Sequence, residues 1–209
     1  MSVRYIFWDC DNTLVNTAEH HWRKHFEIFK ANNVELGEQH KAFILKNNGL
    51  QNWDYLTQHY KIPISREEYL QAVDTWYQDN INDVQIRDGI LEALEICNRY
   101  HCKMAVISNS RRFSVQTVLE AKDLAKHMMF IWGKEDYKGT KSGPDSYNAA
   151  RAHMAKLLEH PVDTQGCLVI EDNFDGVKGA DFAGMWSLYR PMGKDDPDKF
   201  LEELIGFLL

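Results

Sequence analysis

Five short apolar runs decide most of what this chain can become: Val3 to Trp8, Met104 to Ile107, Met129 to Trp132, Cys167 to Ile170 and Met185 to Tyr189. The first four are near-continuous in apolar residues, the pattern of strands buried on both faces of a parallel sheet. Helical spacing fills the gaps between them, over Ile90 to Tyr100, Ser114 to Lys126 and Ser146 to Leu158. Gly176, Gly179 and Ala180 permit a closely packed helix after the fourth run, and Pro197 to Leu209 reads as a closing helix. Strands alternating with helices predict an α/β fold with a doubly wound, right-handed parallel sheet.

One stretch breaks the alternation. From Thr17 to Lys30, Trp22, Phe26 and Phe29 recur at i, i+4 and i+7, and further helical patterns cover Glu38 to Lys46, Trp53 to His59 and Glu67 to Asn80. Ser65 stands where an N-cap belongs, ahead of an acidic first turn. The segment therefore predicts an α-helical insertion at 16–84, with the α/β core made of 1–15 and 85–209. A chain of 209 residues is long enough for that arrangement. Trp53, Tyr55, Trp76 and Tyr77 read as the insertion's own core. His21 and His25, at i and i+4, lack an evident third ligand and read as part of a polar helix face with His20.

Composition narrows the possible partners. A net charge of −7 argues against nucleic acid and anionic membranes, so an anionic ligand needs a local positive site. No run approaches the ~20 apolar residues of a membrane span. Cys10, Cys97, Cys102 and Cys167 form no C-x-x-C pair, and the start, Met1-Ser2-Val3-Arg4, has no long apolar core. A reducing cytoplasm is the expected compartment.

The strand ends carry the chemistry. Asp9 and Asp11 end the first strand, Ser108 and Asn109 the second, Glu171 and Asp172 the fourth, and Lys141 lies in a loop before a helix. Aspartates at i and i+2 on extended backbone share a side. Parallel strands gather their carboxyl ends at one edge, where ligands of open α/β sheets bind. Clustered acids suit a hard cation such as Mg²⁺, while lysine, serine and backbone N–H groups suit phosphate. Singly, Lys141 is a loop charge and Glu171-Asp172 a helix start; together they point to phosphoryl transfer.

These motifs resemble, in order, the four motifs of the haloacid dehalogenase superfamily: D-x-D-x-T at Asp9 to Thr13, an apolar run ending in Ser108-Asn109, Lys141 in K-S-G-P-D, and I-E-D-N at Ile170 to Asn173. The helical insertion falls where the subgroup of β-phosphoglucomutases and phosphoglycolate phosphatases carries its cap. The resemblance implies that Asp9 is the nucleophile, forming an aspartyl-phosphate, and Asp11 the general acid and base. It further implies phosphoryl contacts from Ser108 and Lys141, and substrate-binding roles for Thr13, Asn109 and His21. An Mg²⁺ ion would be held by Asp9, the Asp11 carbonyl and Asp172, with Glu171 either a further ligand or a group behind the ligands. Asn12 replaces the family's common glycine, which the left-handed turn tolerates. Ser142 and Asn16 replace a frequent proline and a frequent aspartate.

The activity so implied is a Mg²⁺-dependent phosphatase of a small phosphorylated metabolite. The alternatives are a phosphosugar mutase and, outside catalysis, an inactive phosphate-ligand binding protein on the same fold. Thr17 to His21 resembles the hinge of the β-phosphoglucomutases, with His21 at the place of their histidine. Aligning the mutases' cap glycine with Gly49 puts Asn48 and Asn52 where they carry lysine and arginine, and Lys46 falls two residues early. Without those cations a second phosphate lacks anchors, and hydrolysis is expected. Neither the metabolite nor an oligomeric state is legible.

Overall fold

In the computed structural model, which describes residues 2–193 and 196–209, the chain forms two compact units. One comprises Met1–Val15 and Ile86–Leu209, the other Asn16–Gln85. In chain order the elements are β1 (Tyr5–Trp8), β2 (Val15–Asn16), α1 (Ala18–Ala31), α2 (Lys41–Ile44), α3 (Gly49–His59), α4 (Arg66–Asp79) and β3 (Gln85–Ile86). There follow α5 (Ile90–Arg99), β4 (Lys103–Ile107), α6 (Arg112–Ala121), β5 (Ile131–Trp132), α7 (Asp145–Leu158), β6 (Cys167–Glu171), α8 (Phe174–Phe182), β7 (Trp186–Tyr189) and α9 (Pro197–Leu208). The two-residue strands β2 and β3 mark where the chain crosses between units. Among the described residues no helix is long and apolar enough to cross a membrane.

The larger unit is the expected parallel sheet, in the order β5-β4-β1-β6-β7. In register, Trp8 of the central β1 lies beside Val106 and Ile170, so the carboxyl ends of β1, β4 and β6 come level. Phe7, Ala105 and Val169 pack against Tyr147, Ala150 and Met154 of α7 and Ala180 of α8. The alternate residues Ile6, Trp8, Met104, Val106, Leu168 and Ile170 are buried too, so both faces are covered. The order reverses at β1, the topological switch point beside which open α/β sheets bind their ligands.

Several elements fall short of expectation: the helix read over Glu38–Lys46 is a 3₁₀ turn at Glu38–His40 followed by the four-residue α2. The helix read to Lys126 ends at Ala121, and a separate 3₁₀ turn covers Ala125–His127. Asp123 adopts the left-handed conformation (φ 58°), letting the Leu124 N–H donate to the Leu119 carbonyl at 2.8 Å and the Asp123 N–H to that of Glu120 at 3.1 Å. That pair of bonds is a Schellman stop, and it closes the helix without the usual glycine. Comparable stops follow α1 at Asn33 and α5 at His101. The strand read over Met129–Trp132 shortens to Ile131–Trp132, although the Met129 N–H still donates to the Met104 carbonyl at 2.8 Å.

The helical unit packs Trp22, Phe29, Leu36, Ile44, Leu56, Tyr69 and Val73 into its own core. Ser65 caps α4 and Asn48 caps α3, each in a full capping box, with Glu68 and Gln51 at the third positions. The polar-face reading fails for His20 and His25, which are buried. Position 25 lies on the same stripe as Trp22 and Phe29. The His25 Nδ1 sits 2.6 Å from the Tyr69 hydroxyl, and the Asn52 amide lies 3.3 Å from Nε2.

Burial drives the pKa of His25 well below 6.5 and that of His20 down to about 4. Both are neutral when folded, while the unfolded chain takes up protons below about pH 6.5. Stability of this unit is therefore full above that pH and falls on acidification, by up to about 1.4 kcal/mol per pH unit for His25 and by less for His20, whose contribution ends near pH 4. Tryptophan-monitored denaturation at stepped pH measures the slope, and His25→Asn should flatten it. A slope identical to wild type would refute the assignment.

Candidate active site

The site is built where β1 runs out. The Cys10 carbonyl accepts from the Leu14 N–H at 3.0 Å, and Asn12 takes a left-handed turn (φ 59°), the conformation its side chain tolerates in place of glycine. That turn sets Asp9, 6% exposed, against two neighbours. The Thr13 hydroxyl, itself fully buried, donates to Asp9 Oδ2 at 2.9 Å. The Lys141 ammonium donates to Asp9 Oδ1, lies 2.5 Å from Glu171 Oε1, and donates to the Ile107 carbonyl at 2.9 Å. One buried cation thus joins the ends of β1, β4 and β6.

Glu171 also accepts from the Tyr147 hydroxyl at 2.9 Å. Asp9, Glu171 and Asp172 each offer a carboxylate oxygen, all within 4.8 Å of one another. Burial, and then the Glu171 charge, push the Asp172 carboxyl up to about 6. Burial also raises Asp9, against the pull of Lys141. Burial works against the Lys141 ammonium, but the Asp9 and Glu171 charges outweigh it and hold its pKa well above 10.5. Three acids against one lysine leave excess negative charge in a confined space. A divalent cation fits that donor set, because it removes the repulsion that the single lysine leaves.

The Asp11 carboxylate accepts from Ser110 Oγ at 2.5 Å, with Ser108 Oγ 3.4 Å away, and its charge adds to the rise of Asp9 and Asp172. Ser108 is buried and its Oγ accepts from the Ser110 N–H at 3.0 Å. Asn109 is exposed, with its Oδ1 2.9 Å from the Tyr137 hydroxyl. His21 belongs to the helical unit, where its ring stacks on Tyr77 at 5.5 Å and its Nδ1 lies 2.9 Å from Lys24 Nζ. The larger unit therefore gathers Asp9, Asp11, Thr13, Ser108, Asn109, Lys141, Glu171 and Asp172, and His21 lies in the other unit.

Residues 6–189 match the family model described as haloacid dehalogenase-like hydrolase. The chain belongs to that family. Pyrophosphatase PpaX of Oceanobacillus iheyensis is 26% identical over 198 residues, covering 90% of this chain and 86% of that protein. The chloroplastic protein SUPPRESSOR OF QUENCHING 1 of Arabidopsis thaliana is 36% identical over 98 residues, 46% of this chain but only 9% of that much longer protein. Among solved structures, CbbY of Rhodobacter sphaeroides, crystallised with phosphate, superposes with a TM-score of 0.75 at 20% identity, covering 93% of this chain and 90% of that one. At that identity the likeness speaks for the fold.

In this haloacid dehalogenase-like hydrolase, two helix glycines hold the site from behind. A methyl at Gly176 would overlap the Glu171 carboxylate, and one at Gly179 would overlap the Lys141 carbonyl. Gly179→Ala should therefore push the Lys141 loop away, at a cost of about 1–3 kcal/mol. Its melting temperature and turnover should fall together, and a variant matching wild type in both would contradict the packing.

Sequence reasoning missed Ser110 and Tyr147. Ser110 was within reach, since residues 108 and 110 on extended backbone share a side. Tyr147 carried no signal, because a tyrosine on an amphipathic helix reads as core.

Proposed function

We propose that this chain is a Mg²⁺-dependent phosphatase of small phosphorylated metabolites, acting through an aspartyl-phosphate on Asp9. The observation that carries the reading is the Lys141 ammonium held between Asp9 and Glu171, with Asp172 completing a three-carboxylate group at the strand ends. A lysine so placed holds Asp9 beside a positive charge that phosphoryl oxygens can share. Thr13 orients the Asp9 oxygen that faces it.

In the first step an Asp9 oxygen forms a bond to phosphorus as the ester P–O bond breaks, and Asp11 gives its proton to the leaving oxygen. In the second, Asp11 takes a proton from water, whose oxygen attacks phosphorus and releases phosphate, restoring Asp9. Ser110 holds the Asp11 carboxylate for both transfers. Ser108 and Lys141 hold the phosphoryl oxygens. Asp9, Glu171, Asp172 and the Asp11 carbonyl would hold Mg²⁺, which when bound offsets the repulsion between anionic nucleophile and anionic ester.

The mutase alternative is weaker. Asn48 is committed to capping α3, and Asn52, 1% exposed, donates to the Ile44 and Asn47 carbonyls at 3.1 and 3.2 Å. Neither supplies a cation for a second phosphate. The deciding experiment follows β-glucose 1-phosphate and an aryl phosphate with Mg²⁺ present. Free phosphate supports the phosphatase, whereas efficient conversion to glucose 6-phosphate without it overturns the choice. In the same assay Asp172→Asn should raise the Mg²⁺ midpoint about 10–100-fold, and an unmoved midpoint would remove Asp172 from the metal set.

A further inference from the structure

Around the acids lies a buried guanidinium that the chemistry above leaves unused. Arg87 is 3% exposed, and its backbone N–H donates to the Leu14 carbonyl at 3.0 Å. Its guanidinium donates to the Asn12 carbonyl, to the Arg190 carbonyl at 2.8 Å and to the Pro191 carbonyl at 2.8 Å. Asn12 directly follows Asp11 in the left-handed turn. Arg190 directly follows β7, and its N–H donates to the Glu171 carbonyl at 2.7 Å. One planar group thus spans the turn that bears Asp11 and the loop fastened to Glu171.

Arg190 braces the arrangement from the other side. It is 4% exposed, its guanidinium donates to the Asp88 carbonyl, and it lies 4.2 Å over the Phe200 ring. Burying two cations is costly, and an apolar pair would fill the same volume at less cost. What a guanidinium adds is a rigid fork of donors that fixes several carbonyls at once, which an ammonium on a flexible stem cannot match.

We propose that Arg87 is a positioning residue for the reaction: by holding the Asn12, Arg190 and Pro191 carbonyls together, it sets the spacing between Asp11 and the Glu171-Asp172 pair. The kinetic part of this inference rests on the phosphatase reading, whereas the metal-affinity part stands without turnover. Ligand spacing governs how tightly a divalent ion is held, and groups behind a metal site typically contribute about 10–100-fold to affinity or activity.

The test compares the full chain as wild type, Arg87→Met, Arg87→Lys and a control, Arg151→Met. Arg151 donates to the Val162 carbonyl at 2.7 Å, so the control removes a like bond elsewhere in the unit. Calorimetric titration with Mn²⁺ alone reads metal affinity, phosphate release from an aryl phosphate reads kcat and KM, and thermal unfolding reads the fold. Both Arg87 variants should bind Mn²⁺ about 10–100-fold more weakly and lose kcat by a similar factor, with KM unmoved. Arg151→Met should change only the melting temperature. Unchanged Mn²⁺ affinity in a folded Arg87 variant overturns the proposal, as does a wild type that binds no divalent ion. Should Arg87→Met fail to fold, Arg87→Lys decides, because it keeps the charge and loses the fork. A wild type that binds Mn²⁺ but releases no phosphate sinks the phosphatase reading, and the affinity comparison still judges Arg87.

Discussion

Asp9→Asn should leave a folded protein that turns over at less than about a hundredth of the wild-type rate, a loss above roughly 2.7 kcal/mol in transition-state stabilisation. The amide keeps the shape of the carboxylate, so packing at this buried position survives. What it loses is the anionic oxygen that would bond phosphorus. The substitution also leaves Lys141 with Glu171 as its remaining carboxylate contact. Two readouts are needed: phosphate release, and acid-stable capture of labelled phosphate on the protein during turnover. Wild type should show the label and Asp9→Asn should not. A variant retaining more than a hundredth of the rate would end the covalent mechanism.

Lys141→Met should be the most damaging change to stability. Methionine fills similar volume, but Asp9 and Glu171 are left buried with their charges unmatched. Removing one member of a buried ion network typically costs about 3–5 kcal/mol. Turnover should vanish as well, since the phosphoryl oxygens lose their lysine. A divalent ion should then do more for the variant than for wild type, because it meets one more uncompensated acid. Thermal unfolding with and without Mg²⁺ measures both effects. A variant that melts with wild type, or gains no more from the ion, would show that the carboxylates do not depend on Lys141.

Much of this architecture was legible because it follows from short-range pattern. The apolar runs at Val3–Trp8, Met104–Ile107 and Cys167–Ile170 became the neighbouring strands β1, β4 and β6, so acids written far apart met at one edge. Asn12 announced its turn, and Ser65 its helix start. What escaped depends on local backbone strain or on tertiary context. Asp123 ends α6 through two backbone bonds that any residue can make once strained into the left-handed region. His25 reads as polar until Tyr69 and Asn52, distant in sequence, close around it. Tyr147 and Arg87 act through partners that no local spacing reveals.

The manner in which helices end here bears on how the protein could be engineered. Asn33, His101, Asp123 and Glu159 all occupy left-handed positions after helices, and all four side chains are exposed. At His101 and Glu159 that conformation stores about 1–2 kcal/mol of strain, less at Asn33 and Asp123, which glycine would not carry, although glycine gives part of the gain back as freedom in the unfolded chain. None of the four belongs to the acid cluster or to its lysine. The fold thus keeps a reserve of stability at its helix ends, set apart from the chemistry. Variants of the strand-end residues that prove too fragile to purify could be rescued from there, leaving the acids themselves untouched.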